Sequence, residues 1–205
     1  MKLKDFPSLP KFDEIKIDEI PSGSALEFYG GNKLTEFYGN HRARLWGGKN
    51  CTQFPYDPPP FHTAHYQRRG FFLNVGKYKT IEKLEDEFKS TRRIDVIIYK
   101  EVTPELGNKI ADDMLADIDK PGLFKRFTYG IFDYLRFEPA LRWLIPKDKK
   151  RDFCTEDKVR RMLQFGIKTS DRPPDMTAPW DDVLYAMRNP DKCEIRTLFI
   201  GKDFK

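Results

Sequence analysis

Phe61-His62-Thr63-Ala64-His65-Tyr66, then Arg68-Arg69-Gly70, then Phe71-Phe72-Leu73-Asn74-Val75 form the stretch whose reading decides the fold. Two runs rich in aromatic and β-branched residues flank a basic turn ending in glycine, which is the pattern of an antiparallel hairpin. Successive side chains on a strand face opposite ways, so His62 and His65, an odd number of positions apart, cannot both serve one site. Asn74 lies on the returning strand, 12 positions after His62. With the turn at residues 68–70, the neighbourhoods of His62 and Asn74 pair across the ladder. An amide oxygen from Asn74 then accepts from one ring nitrogen of His62 and fixes its tautomer, and the other nitrogen is free for a reacting group.

Working outward, residues 24–29 read as a short strand closed by Gly30-Gly31, and 33–38 as one or two helical turns. Residues 80–91 read as a helix with Ile81, Leu84 and Phe88 on one face. Residues 94–102 make the strongest strand of the chain, rich in β-branched side chains. Thr103-Pro104-Glu105 opens a helix with proline at its first position, running to about residue 118. Residues 123–144 are apolar, aromatic and helical in two pieces around Pro139, 146–151 are a basic connector, 179–187 a short helix and 195–200 a final strand. Strands in the first half and helices in the second predict an α+β fold, an antiparallel sheet packed against helices.

The 205 residues suit one domain, with an arm over residues 1–22 and a long loop insertion over 39–60. The net charge of +5 arises from basic and acidic residues that are interleaved, which permits an anionic partner without demanding one. Three widely spaced cysteines, Cys51, Cys154 and Cys193, argue for a reducing compartment rather than a disulfide framework. No apolar stretch has the length of a membrane span and the N-terminus lacks a signal-peptide core, so a cytoplasmic protein is the expectation.

One of these cysteines stands at a helix start. In Arg151-Asp152-Phe153-Cys154-Thr155-Glu156-Asp157-Lys158-Val159, Asp152 suits an N-cap and Thr155 can answer it. Val159, Met162 and Leu163 recur at helical spacing, and Gly166 supplies the stop. Unpaired backbone N–H groups and the positive end of the helix dipole favour thiolate there; the plainer alternative is a buried structural cysteine. A cysteine nucleophile needs a base and a group to orient that base. The chain has three histidines, His41, His62 and His65, and only His62 has an Asn74 beside it.

At these residues the chain resembles the circularly permuted NlpC-type papain-like hydrolases, the group that includes YiiX-like proteins and relatives of lecithin:retinol acyltransferase. The resemblance spans about residues 24–165 and rests on His62-Thr63-Ala64, Asn74 and Phe153-Cys154-Thr155-Glu156. It implies Cys154 as nucleophile, His62 as general base and acid, and Asn74 as the orienting residue. It departs from the family over residues 22–26, which match loosely, and in the 39–60 insertion. It implies cleavage of an amide or peptide bond through an acyl-enzyme, with a peptide, a cell-wall peptide or another amide as substrate and no cofactor. The same fold also hosts lipid or thioester acyl hydrolases and acyltransferases, but no hydrophobic anchoring segment is visible. Tyr129, Asp133 and Tyr134 lie in an aromatic stretch that would line the substrate cleft.

Three rival readings carry less. His62-x-x-His65 with Cys51 or Cys193 offers zinc-type ligands, but a two-residue gap on a strand splays the histidines apart. Cys51 is flanked by Lys49 but has no helix start behind it. A non-enzymatic domain would bind nucleic acid or a protein through Arg42, Arg44, Trp46 and Lys49; a solvated loop accounts for these residues more simply.

Overall fold

The computed structural model describes residues 6–30, 43, 54–75, 79–118 and 154–201. Tyr129, Asp133, Tyr134, Cys51 and the basic and aromatic residues of the 39–60 loop lie outside the described residues, as do Asp152, Phe153 and the segments 33–38 and 123–144.

The hairpin consists of β2 (Pro60–Arg68) and β3 (Phe71–Val75). Its two turn residues, Arg69 and Gly70, have φ of 53° and 77°. Positive φ at both central positions matches the right-handed twist of the paired strands. The Tyr66 hydroxyl accepts from the Gly70 N–H at 2.9 Å and donates to the Ile17 carbonyl at 3.0 Å, so one side chain ties the turn to the N-terminal segment.

Around the hairpin grows an antiparallel sheet with six strands among the described residues, in the order β4-β3-β2-β1-β5-β6. The outer and central strands are β1 (Ala25–Tyr29), β4 (Lys79–Lys83), β5 (Arg93–Tyr99) and β6 (Cys193–Ile200). Central β1 is buried along its whole length, as a strand covered on both faces must be. The described helices are α1 (Leu84–Glu87), α2 (Pro104–Ile118), α3 (Cys154–Gln164) and α4 (Pro179–Arg188). The protein is therefore α+β.

The alternation of the strands divides the core in two. Leu26, Phe28, Ala64, Tyr66, Phe72, Ile94 and Val96 cluster with Ile20 and Leu84. Ala25, Tyr29, Leu73, Val75 and Ile97 cluster instead with Ile110 and Met114 of α2, Cys154 and Met162 of α3, and Val183 and Leu184 of α4.

One expected element is corrected. Residues 80–91 are not one helix: residues 79–83 form β4, and the helix is the single turn Leu84–Glu87. Asn74 pairs with Thr80 and Leu73 with Ile81, so the hydrogen-bonding edge of β3 captures this segment as a strand. Leu84 still enters the core that helical spacing predicts for it. The strand expected over 94–102 runs from Arg93 to Tyr99, and the Pro104 helix follows directly.

Helix α3 ends at a left-handed glycine, Gly166, with φ of 79°. Gly166 N–H donates to the Leu163 carbonyl at 3.0 Å and Ile167 N–H to that of Met162 at 2.9 Å. This is the paired closure of a Schellman stop, and Ile167 packs into the same core as Met162.

Candidate functional site

His62 lies near the start of β2, beside an irregularity in the sheet. The register between β1 and β2 shifts after Phe28↔His62, so that Tyr29 faces Pro60 and Phe61 is the extra residue. An extra residue of this kind bends the strand and re-aims the neighbouring side chain. The His62 ring sits 5.6 Å from the Phe28 ring centroid and 6.3 Å from that of Phe61. Its Nε2 is 2.9 Å from Asn74 Oδ1 across the hairpin. The same imidazole hydrogen-bonds with the Cys154 side chain. Since Asn74 occupies Nε2, Nδ1 is the nitrogen left for the sulfur.

Cys154 is the first residue of α3 and is buried, only 4% exposed, with its sulfur 3.7 Å from Thr155 Oγ1. The structure thus gathers Cys154, His62 and Asn74 from a helix start and two adjacent strands. His65 lies outside this group. It pairs with Ala25 where His62 pairs with Phe28, is 1% exposed, and neither of its ring nitrogens has a hydrogen-bond partner among the described residues. Burial, reinforced by Lys158, Arg161 and Lys79, holds its pKa well below the ordinary value, so His65 is neutral. Among the described residues no group of three or more His, Cys, Asp or Glu side chains is arranged to hold a metal ion.

The electrostatics at His62 run the other way. Burial opposes the charged ring, but the Cys154 sulfur, the bonds to Cys154 and Asn74 and the charge of Glu27 outweigh it and raise the pKa. A raised imidazole pKa beside a thiol favours the imidazolium–thiolate pair.

Helix α3 is held against the sheet by charges that are themselves buried. Lys158, one turn beyond Cys154, donates to Glu27 Oε1 at 3.1 Å and Thr63 Oγ1 at 3.2 Å, and also pairs with Asp182 of α4. Thr63 Oγ1 donates to Glu27 Oε1 at 2.7 Å. The side chains of Lys158, Glu27 and Asp182 have no exposed surface. Burial lifts the Glu27 carboxyl to about 7 despite Lys158, and lifts that of Asp182 further above its ordinary range. Two carboxylates around one ammonium therefore titrate as a coupled unit. Glu27 precedes Phe28, the cross-strand partner of His62. Anchoring Lys158 on Glu27 thus fixes the helix start relative to the histidine strand.

Outside this cluster, Lys79 of β4 reaches Asp157 at 2.6 Å, and Arg161 reaches Asp113 of α2 at 2.9 Å. Sequence reasoning did not single out Glu27, Lys158 or Asp182. The available signal was Glu27 itself, an ionisable residue inside the otherwise apolar run Ala25-Leu26-Glu27-Phe28-Tyr29.

No protein-family model matches the chain, and no curated protein matches it either.

Proposed function

We propose that the protein is a cysteine hydrolase of the permuted papain-like kind, cleaving an amide or peptide bond with Cys154 as nucleophile, His62 as base and acid, and Asn74 as the orienting group. The observation that carries the reading is the placement of one imidazole between a buried thiol at a helix start and an amide oxygen 2.9 Å away. In the first step His62 takes the Cys154 proton and the thiolate attacks the substrate carbonyl carbon. The oxyanion is stabilised by the backbone N–H of Cys154 at the positive end of α3. The tetrahedral intermediate collapses with cleavage of the C–N bond, and His62 returns the proton to the departing amine. Water, deprotonated by the same ring, then releases the acid and restores the thiol. Asn74 holds the ring plane throughout, as the third group of such a constellation does.

The test is mass spectrometry of the intact protein after exposure to a panel of peptide, cell-wall-fragment and lipid ester substrates. A single acyl adduct on Cys154 is expected, lost in Cys154→Ala and formed at least ~10²-fold more slowly in His62→Ala. The substrate that acylates distinguishes an amidase or peptidase from a lipid acyl hydrolase. Equal iodoacetamide labelling of Cys51, Cys154 and Cys193, with no acyl adduct from any substrate, would overturn the reading.

A further inference from the structure

We propose that Glu82 is the end of a hydrogen-bond relay, Glu82–Asn74–His62–Cys154, whose role is to select the histidine tautomer that can accept the thiol proton. For its chemistry this rests on the hydrolase reading; for its geometry it rests on β4, which places Glu82 beside Asn74. The Asn74 Nδ2 lies 3.0 Å from Glu82 Oε1 and 3.0 Å from Oε2, while its Oδ1 lies 2.9 Å from His62 Nε2. Thr80 Oγ1 donates to Glu82 Oε1 at 2.5 Å and steadies the carboxylate from the same strand.

A carboxylate accepts hydrogen bonds and does not donate them. Glu82 therefore admits the Asn74 amide in one orientation, with nitrogen toward β4 and oxygen toward His62. That oxygen also only accepts, so Nε2 must carry a hydrogen. In the neutral ring Nδ1 is then the lone-pair nitrogen, and Nδ1 is the one left for Cys154. With the amide reversed, Nε2 would accept from Asn74, Nδ1 would carry the hydrogen, and the ring could not take a proton from the thiol. Asn74 alone allows both arrangements, because its two ends have nearly the same shape. Glu82 removes the second. Its bonds run to Asn74 and Thr80, so it acts through Asn74 and is a positioning residue rather than a catalytic one.

The experiment reads the tautomer directly. Cys154→Ala protein labelled with ¹⁵N-histidine is titrated until the His62 ring is neutral, the signals being assigned through His62→Gln. The parent is expected to show hydrogen on Nε2 and a lone pair on Nδ1. Adding Glu82→Ala is expected to populate the opposite tautomer. In the Cys154-containing protein, Glu82→Ala is expected to slow iodoacetamide capture of Cys154 about tenfold, the loss of one bond to a charged acceptor. The Glu82→Ala, Asn74→Ala double variant is expected to be no slower than Asn74→Ala alone, because Glu82 acts only through Asn74. Hydrogen on Nδ1 in the parent, a tautomer indifferent to Glu82→Ala, or losses that add in the double variant would each overturn the relay. A tautomer that responds to Glu82 in a protein that no substrate acylates supports the relay while removing the hydrolase reading.

Discussion

His62 has four neighbours with opposing effects on its proton. Phe28 and Phe61 crowd the ring and withdraw water, which disfavours the charged form. Cys154 and Asn74 favour it, and they prevail, so the folded pKa stands above the ordinary value of 6.5. An imidazole stabilised in this way contributes its full share of folding stability below the unfolded pKa, and that share is lost as pH rises through the folded pKa. Following the His62 ring protons by NMR across pH 5 to 9, we expect a midpoint above 6.5 that falls in Cys154→Ala. An unchanged midpoint in that variant would show that the sulfur does not govern the ring.

At the scale of elements, the cysteine helix is fastened by charge as much as by apolar packing. Val159 is buried and Met162 joins the core between sheet and helices, while Lys158 is bonded to β1, β2 and α4 together. Removing a buried cation leaves its carboxylates uncompensated, which costs more than any single surface pair contributes. Lys158→Met is accordingly expected to lower stability by about 3–5 kcal/mol in urea denaturation. Glu27 supplies a second, pH-dependent check. Its folded pKa of about 7 lies above the ordinary 4.5, so the folded state binds more protons than the unfolded state between those values. Stability therefore falls as pH rises across that interval, and Glu27→Gln should flatten part of the slope. A slope identical in wild type and variant would locate the titration elsewhere. The hairpin turn offers a smaller effect. Gly70 is left-handed, and an added Cβ would meet only Ile17 Cγ2, at 3.4 Å. Gly70→Ala should thus cost about 1–2 kcal/mol through backbone conformation alone.

The whole molecule is closed by its N-terminal segment, which runs along both the loop before β2 and the far edge of the sheet. Leu9 N–H donates to the Asp57 carbonyl at 3.0 Å, and Asp57 N–H to that of Pro7 at 2.9 Å. Further on, Thr197 of β6 exchanges backbone bonds with Asp13 and Ile15 at 2.8 and 3.0 Å. Arg93, buried on β5, donates to the Pro10 carbonyl at 2.7 Å and to Asp95 at 2.8 Å. Where the segment turns into β1, Ser22 presses on the first turns of α2: a Cβ at Gly107 would stand 2.2 Å from the Ser22 carbonyl oxygen. Two backbones in contact cannot yield as a side chain can. Gly107→Ala should cost about 1–3 kcal/mol and open the N-terminal segment to proteolysis before the sheet unfolds, as read by limited digestion and thermal melting. Among the described residues no helix is long and apolar enough to cross a membrane.

The hairpin, the Pro104 helix, the glycine stop of α3 and the closing strand were legible from residue order, because each depends on local periodicity or on a residue with one dominant backbone preference. So was the association of His62 with Asn74, since a tight turn brings the two strands back along each other, although the register slips by one residue between Tyr66 and Arg68. The strand at residues 79–83 was not legible: Leu84 and Phe88 repeat at helical spacing, and only the open edge of β3 outweighs that local preference. The buried cluster of Glu27, Lys158 and Asp182 was equally hidden, because charged residues 131 positions apart reveal nothing of their pairing until the sheet and helices are assembled. The sequence by itself determined which groups were available for chemistry, a cysteine at a helix start and a histidine paired to an amide. The tertiary structure decided that the two meet, because contact between distant segments depends on the packing of the whole core and not on any local preference.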